Sequence, residues 1–252
     1  MNNILYYQRF KIVLYLFLSI FVFYRCENIA STKEITDPKE IRPIITIKSS
    51  MDNITGNSKQ TIEVIIKDIN NDAIIIDGGN VYVNGIQMRL PQNDLFGAKD
   101  ESYELISEII PDSLYIFEIV FSDGTTYMAW IETPEIDFFQ LDVPEQYPRN
   151  TDLVVKWLDV DFRYPQYCVI QYYDAVDGFS ENNQVRFIVH SPYDGEYTIK
   201  SKYIKYYNKS NARDAEIRVK VIAETTGEVS DEFLTGGSVK CQMAIYQDIE
   251  IY

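Results

Sequence analysis

The residues able to do chemistry are few and scattered. The chain has one histidine, His190, at the end of the apolar run Val185–Val189 and just before Ser191-Pro192. A Ser-His-Asp set would have to use it, yet no Gly-x-Ser-x-Gly turn offers a serine nucleophile. The expectation is a strand-end histidine facing solvent. A zinc site would need further His or Cys ligands. Beyond Cys26, only Cys168 and Cys241 remain, and neither sits in a Cys-x-x-Cys spacing. Asp68-Ile69-Asn70-Asn71-Asp72 opens like a calcium loop, but Ala73 stands where that loop needs Gly and Gly79 where it needs Glu. It reads as an acidic turn between Ile62–Lys67 and Ala73–Ile76, with a cation on turn oxygens as the alternative. Paired carboxylates for glycoside hydrolysis come from distant strands, so 38 Asp and Glu neither support nor exclude them. No catalytic residue, metal set or cofactor is assigned.

Tandem aromatics occur at Phe138-Phe139, Tyr172-Tyr173 and Tyr206-Tyr207. In a strand one ring of each pair points outward, where it can cover a sheet edge or stack on a sugar or partner. Tyr206 and Tyr207 are the candidate ligand-binding pair, because Asn208-Lys209-Ser210-Asn211 beside them reads as a loop.

The elements that must position such residues begin after a segment of another kind. Met1 to Lys11 carries Arg9 and Lys11 and no acid, and Ile12 to Tyr24 then runs thirteen residues broken only by Ser19. A membrane-spanning helix needs roughly 20 apolar residues, so a basic start and a short apolar run describe a secretory signal. An uncleaved N-terminal anchor is the alternative. Cys26 follows at the place where bacterial lipoprotein signals carry their lipidated cysteine. Arg25 departs from the small residues expected there, and a chance cysteine after an ordinary signal is the competing reading. Removing residues 1–26 reduces 23 Lys+Arg to 20 against 38 Asp+Glu, a net charge of −18. Nucleic acid, which needs a basic footprint, is excluded as a partner.

Residues 27–43 are polar and aperiodic and read as a tether. From Ile44 onward, short runs rich in Ile, Val, Tyr and Phe are broken by Asn, Asp, Gly and Pro about every ten residues, which is strand-and-turn punctuation. Residues 100–110 are the best helix candidate and fit a strand as well. Asp123-Gly124 predicts a hairpin between Tyr115–Phe121 and Thr126–Ile131, with Tyr115, Phe117, Ile119 and Phe121 on one face. Asn84-Gly85 predicts a second, and Thr225-Thr226-Gly227-Glu228 a third and weaker one. Pro134, Pro144 and Pro148 mark a boundary. The fold class expected is all-β: two tandem antiparallel β-sandwiches, an Ig-like unit over 44–134 and a second over 138–252.

The second unit resembles a fibronectin type III domain. Asp152–Trp157 looks like that family's second strand, ending in a core Trp, and Tyr167–Tyr172 like the third. Glu196–Ile199 looks like the fifth, and Glu216–Gly227 like the sixth with its turn. Ile217 stands where the family usually has Tyr, so no tyrosine corner is expected. The resemblance places Cys168 on the third strand and Cys241 on the seventh, with the sixth between them. Two strand spacings give about 9–10 Å, beyond the ~7 Å Cα limit of a disulfide, which favours two separate buried thiols over a bridge.

The whole chain is similar in layout to surface lipoproteins of Bacteroides-type bacteria that carry tandem Ig-like or fibronectin-like sandwiches. Asp112-Ser113-Leu114 fits a short pattern glycosylated in some of these bacteria. The resemblance implies an outer-membrane or cell-surface location, with a lipid on Cys26 as the membrane link. The function expected is non-enzymatic presentation of sandwiches to a protein or glycan. A carboxylate-based glycan hydrolase and a structural spacer in an envelope complex are the alternatives.

Overall fold

The computed structural model describes residues 31–90, 102–134, 140–157, 166–174, 178–190, 195–205 and 215–252. Cys26, Phe138-Phe139 and Tyr206-Tyr207 lie outside them. In chain order the first block forms β1 (Ser31–Lys33), β2 (Ile41–Asp52), β3 (Ser58–Asp68), β4 (Ala73–Ile76), β5 (Asn80–Val83), β6 (Ile86–Gln87), β7 (Tyr103–Leu105), β8 (Leu114–Val120) and β9 (Thr126–Glu132). The second forms β10 (Leu141–Asp142), β11 (Gln146–Tyr147), β12 (Leu153–Trp157), β13 (Tyr167–Asp174), β14 (Gly178–Ile188), β15 (Glu196–Ile199), one short helix α1 (Ser201–Lys205), β16 (Ala215–Thr226), β17 (Glu228–Val229) and β18 (Ser238–Ile251).

The all-β sandwich architecture stands, and the strands form three sheets. A ten-stranded sheet runs β1-β4-β3-β2-β18-β16-β13-β14, with β7 on β3 and β11 on β18. A three-stranded sheet runs β10-β12-β15, and a five-stranded sheet runs β17-β9-β8-β5-β6. Strand pairing is antiparallel except for β1–β4, β11–β18 and β2–β18. In the second block, β12 pairs with β15 while β13, β16 and β18 lie side by side, the order the fibronectin-like strand assignment requires. Trp157 is buried at the end of β12.

The parallel β2–β18 pairing joins the two blocks into one sheet, from Ser238 opposite Ile44 to Tyr246 opposite Asp52. Asn53 reinforces the joint: its side chain donates to the Leu141 carbonyl and to Gln247 Oε1 (3.0 and 2.6 Å) and accepts from Leu141 N–H (2.9 Å). A single apolar cluster runs from Ile35 through Ile45, Val64 and Phe117 to Trp157, Val219 and Ile251. The two sandwiches therefore share both backbone hydrogen bonds and core.

Turn chemistry explains the local connections. Asn84 and Gly85 both take positive φ (49° and 77°), as a tight hairpin turn between β5 and β6 demands. Gly124 takes φ 83° between β8 and β9, and Asp123 Oδ1 accepts the Thr125 N–H at 2.8 Å. At the β3–β4 turn, Asp68 Oδ1 accepts the N–H groups of Asn70 and Asp72 (2.9 and 3.0 Å), and its other oxygen is paired with Lys33. Burial pushes this carboxyl up, but Lys33 and the two N–H groups outweigh it and hold it below the ordinary range. Both carboxyl oxygens of Asp68 are thus engaged by the protein itself.

Two expectations are corrected, the tether and the third hairpin. The tether reading fails from Ser31 onward: β1 pairs with β4, Ile35 and Ile41 are buried, and Asp37 caps a turn of 3-10 helix over Pro38–Glu40. A three-residue edge strand and isolated apolar anchors carry no period, which is why the segment looked unstructured. Within residues 100–110, Tyr103–Leu105 is a strand, the second of the two forms that segment fits. Thr225–Glu228 is not a hairpin. β16 stays with β18, whereas β17 crosses to the edge of β9 in the other sheet.

Candidate functional site

The site begins with strands β8 and β9. Tyr115, Phe117 and Ile119 fill the interior on alternate positions of β8, and Ala129 and Ile131 do so on β9. Period-two geometry then sends Leu114, Ile116 and Glu118 of β8, and Met128, Trp130 and Glu132 of β9, to the outer face. An antiparallel sheet with one solvated face ordinarily carries polar residues there. Here Leu114 is 54% exposed, Ile116 36%, Met128 48% and Trp130 39%. Cross-strand register sets Ile116 opposite Trp130, Met128 opposite Glu118 and Leu114 opposite Glu132. Tyr82 lies opposite Glu118 on the next strand.

The second block completes this face. β17 lies along β9 with Glu228 opposite Trp130. The crossing needs Gly227, because a Cβ there would sit 2.1 Å from the Trp130 carbonyl oxygen. Thr225 Oγ1 donates to the Glu132 carbonyl (2.8 Å) and Ser230 N–H to that of Met128 (3.1 Å). Below, Phe233 meets Tyr127 and Phe121 with ring centroids 5.6 and 6.3 Å away, which pins the crossing segment to the core. Beside Met128 and Trp130 this leaves an open hollow of about 540 Å³ whose far wall carries Glu228, Asp231 and Glu232.

The outer face of the ten-stranded sheet is a second candidate with a different character. Its floor is Val169, Ile222 and Ala244, packed by Tyr167. Lys48, Arg186 and Lys220 line a hollow of about 130 Å³ above that floor. Arg186 lies 3.4 Å from the Tyr167 ring centroid and 3.0 Å from Glu224, which also accepts from Gln242 at 2.6 Å. Arg218 forks onto Asp248 (2.6 and 2.9 Å) and stacks over Tyr246 at 4.0 Å. Burial raises the Glu224 carboxyl, but Gln242, Arg186 and Lys240 outweigh it and hold it below its usual range. The floor of this face is covered by its own side chains, while Ile188, opposite Tyr167 at the β14 edge, stays 59% exposed.

Cys168 and Cys241 are separate, buried thiols on β13 and β18, with β16 between them. Burial pushes both up to about 12, so neither is a nucleophile at neutral pH. His190 is exposed just beyond β14. In Tyr172-Tyr173 the first ring is buried and the second exposed, as the tandem pattern requires. Among the described residues, no three His, Cys, Asp or Glu side chains gather as a metal would need. No helix there is long and apolar enough to cross a membrane.

The Trp130 face escaped the sequence reading, although a signal for it existed. Leu114-Tyr115-Ile116-Phe117 and Met128-Ala129-Trp130-Ile131 are apolar on both faces of strands that their hairpin makes antiparallel. Such runs mark either a doubly buried strand or a bare face.

No protein-family model matches the chain, and no curated protein matches it. Solved structures similar to it include the FN1–FN3 domains of chicken CNTN1, at 16% identity, with 86% of this chain and 67% of that one covered and a TM-score of 0.20. Another is SGBP-B of the Bacteroides ovatus mixed-linkage glucan utilization locus, solved with a mixed-linkage heptasaccharide. It is 9% identical over 87% of this chain and 64% of that one, also with a TM-score of 0.20. The chain thus spans about two thirds of each. At that TM-score neither likeness carries weight, and the fibronectin-like order of the second sandwich rests on its own strand pairing.

Proposed function

We propose that this chain is a non-enzymatic recognition protein, which uses the outer face of its five-stranded sheet to bind a protein or glycan. The observation that carries the reading is the row of exposed apolar residues Leu114, Ile116, Met128 and Trp130 on a face rimmed by carboxylates. Contiguous bare apolar surface of this kind marks interaction sites. Export is part of the proposal, with a lipid on Cys26 as the anchor at the outer membrane or cell surface. It is supported by the basic start, the short apolar run and the cysteine that follows.

The test compares the wild-type chain with a Met128→Ser/Trp130→Ser variant on a glycan array and on immobilised envelope proteins. Binding by the wild type that the variant loses is the expected result. Silence in both assays, or equal binding by the variant, would sink the reading. Mass spectrometry of the mature N-terminus checks the anchor: an acylated Cys26 is expected, and a free terminus downstream contradicts it.

A further inference from the structure

The composition and charge of the Trp130 face narrow its ligand, on the reading that this face is the binding surface. Three of its four exposed apolar side chains, Leu114, Ile116 and Met128, are aliphatic or thioether. A sugar ring stacks on flat aromatic faces, and these three side chains have none. Branched and flexible apolar groups around the Trp130 indole, with only the half-buried Tyr82 as a second ring one strand beyond Glu118, instead match the desolvated centre of a protein interface, where Trp anchors and Met are enriched.

Among the described strands of this sheet the charged residues have a single sign. Register puts a carboxylate beside three of the four apolar positions: Glu228 at Trp130, Glu118 at Met128 and Glu132 at Leu114, while Ile116 faces Trp130 itself. No Lys or Arg occurs in β5, β6, β8, β9 or β17. A second copy of this chain docking face to face would bring the same carboxylates together in a chain of net charge −15, a like-charge contact that costs affinity. We infer that the face binds a different protein, through an apolar patch bordered by Lys and Arg on the partner. The acids steer that partner and fix its register, and the apolar centre holds it.

The test starts from a displayed library of random peptides selected on the immobilised full chain and counter-selected on the folded Trp130→Ser variant. Far-UV circular dichroism checks that fold, and Met128→Ser serves as a second variant. Survivors are expected to set aromatic or branched aliphatic residues beside Lys or Arg. Their affinity should fall about tenfold or more with Trp130→Ser, as for a central anchor. It should fall about threefold or more with Glu118→Gln/Glu132→Gln/Glu228→Gln, with a flatter salt dependence. An absence of survivors overturns the inference, as do survivors lacking basic residues. Trp130-dependent binding of a neutral polysaccharide, with no peptide selected, overturns the protein partner and leaves the recognition reading standing. A dimer in size-exclusion chromatography that Trp130→Ser dissociates overturns the heterologous partner in favour of a second copy.

Discussion

The ten-stranded and five-stranded sheets face solvent in opposite ways, although both are fed by the same alternation of side chains. On the larger sheet, Arg186, Glu224, Gln242, Arg218 and Asp248 form a network over the Val169–Ile222–Ala244 floor, with Tyr167 and Tyr246 under the guanidinium groups. Long side chains with charged heads cover apolar surface in this manner, and the floor is buried without help from another molecule. On the smaller sheet the outward residues are Leu114, Ile116, Met128 and Trp130, with carboxylates beside them and no cation on its strands. Nothing among the described residues closes over them. Apart from Ile188 at the β14 edge, which stays exposed, the difference separates an apolar floor covered in folding from an apolar row left for association.

That contrast breaks first at the crossing that completes the second face. Gly227→Val forces a side chain into the Trp130 carbonyl. It is expected to cost about 3 kcal/mol, as overpacking does at its upper range, read as a lower urea midpoint. An unchanged midpoint would mean that β17 is not held on β9. On the covered face, Glu224→Gln removes the charge that Arg186 and Gln242 share, and its expected cost is about 1–3 kcal/mol.

Acid should act on the same scale. Asp68 and Glu224 are both held below their ordinary 3.8 and 4.5. Their stabilisation is therefore complete above those values and is lost as pH falls through the lower folded-state values. Denaturation midpoints measured between pH 7 and pH 2 should drop more steeply for the wild type than for Asp68→Asn/Glu224→Gln. Parallel curves would contradict the pairing.

The bare face should show the smallest stability effect. Met128→Ser and Trp130→Ser are each expected to change stability by no more than about 0.5 kcal/mol, as exposed positions do. Cys168 and Cys241, with thiols pushed to about 12 by burial, should resist a thiol reagent at neutral pH until the chain unfolds. Labelling mapped to Cys168 or Cys241 in the native chain would place that thiol at the surface.

The sequence made local structure legible and long-range structure much less so. Asp123-Gly124 and Asn84-Gly85 announced their hairpins, because positive-φ turns need those residue types. Tyr115, Phe117, Ile119 and Phe121 announced the inner face of β8 through strict alternation. The β2–β18 joint left no comparable mark, since a parallel pairing between Ile44 and Ser238 depends on which edges meet and not on any period. Gly227 looked like a hairpin glycine, whereas its role is to let one backbone pass close to another. The apolar character of Leu114, Ile116, Met128 and Trp130 was visible, but only the sheet order shows that nothing among the described residues packs on that side.

Oxidative footprinting of Met128 and Trp130 tests the central claim most directly, by comparing the isolated chain with the same chain in cells that produce it. The account predicts ready modification of both in isolation and clear protection in cells, with Trp157 protected in each as the buried control. Equal modification of Met128 and Trp130 in the two settings would contradict it.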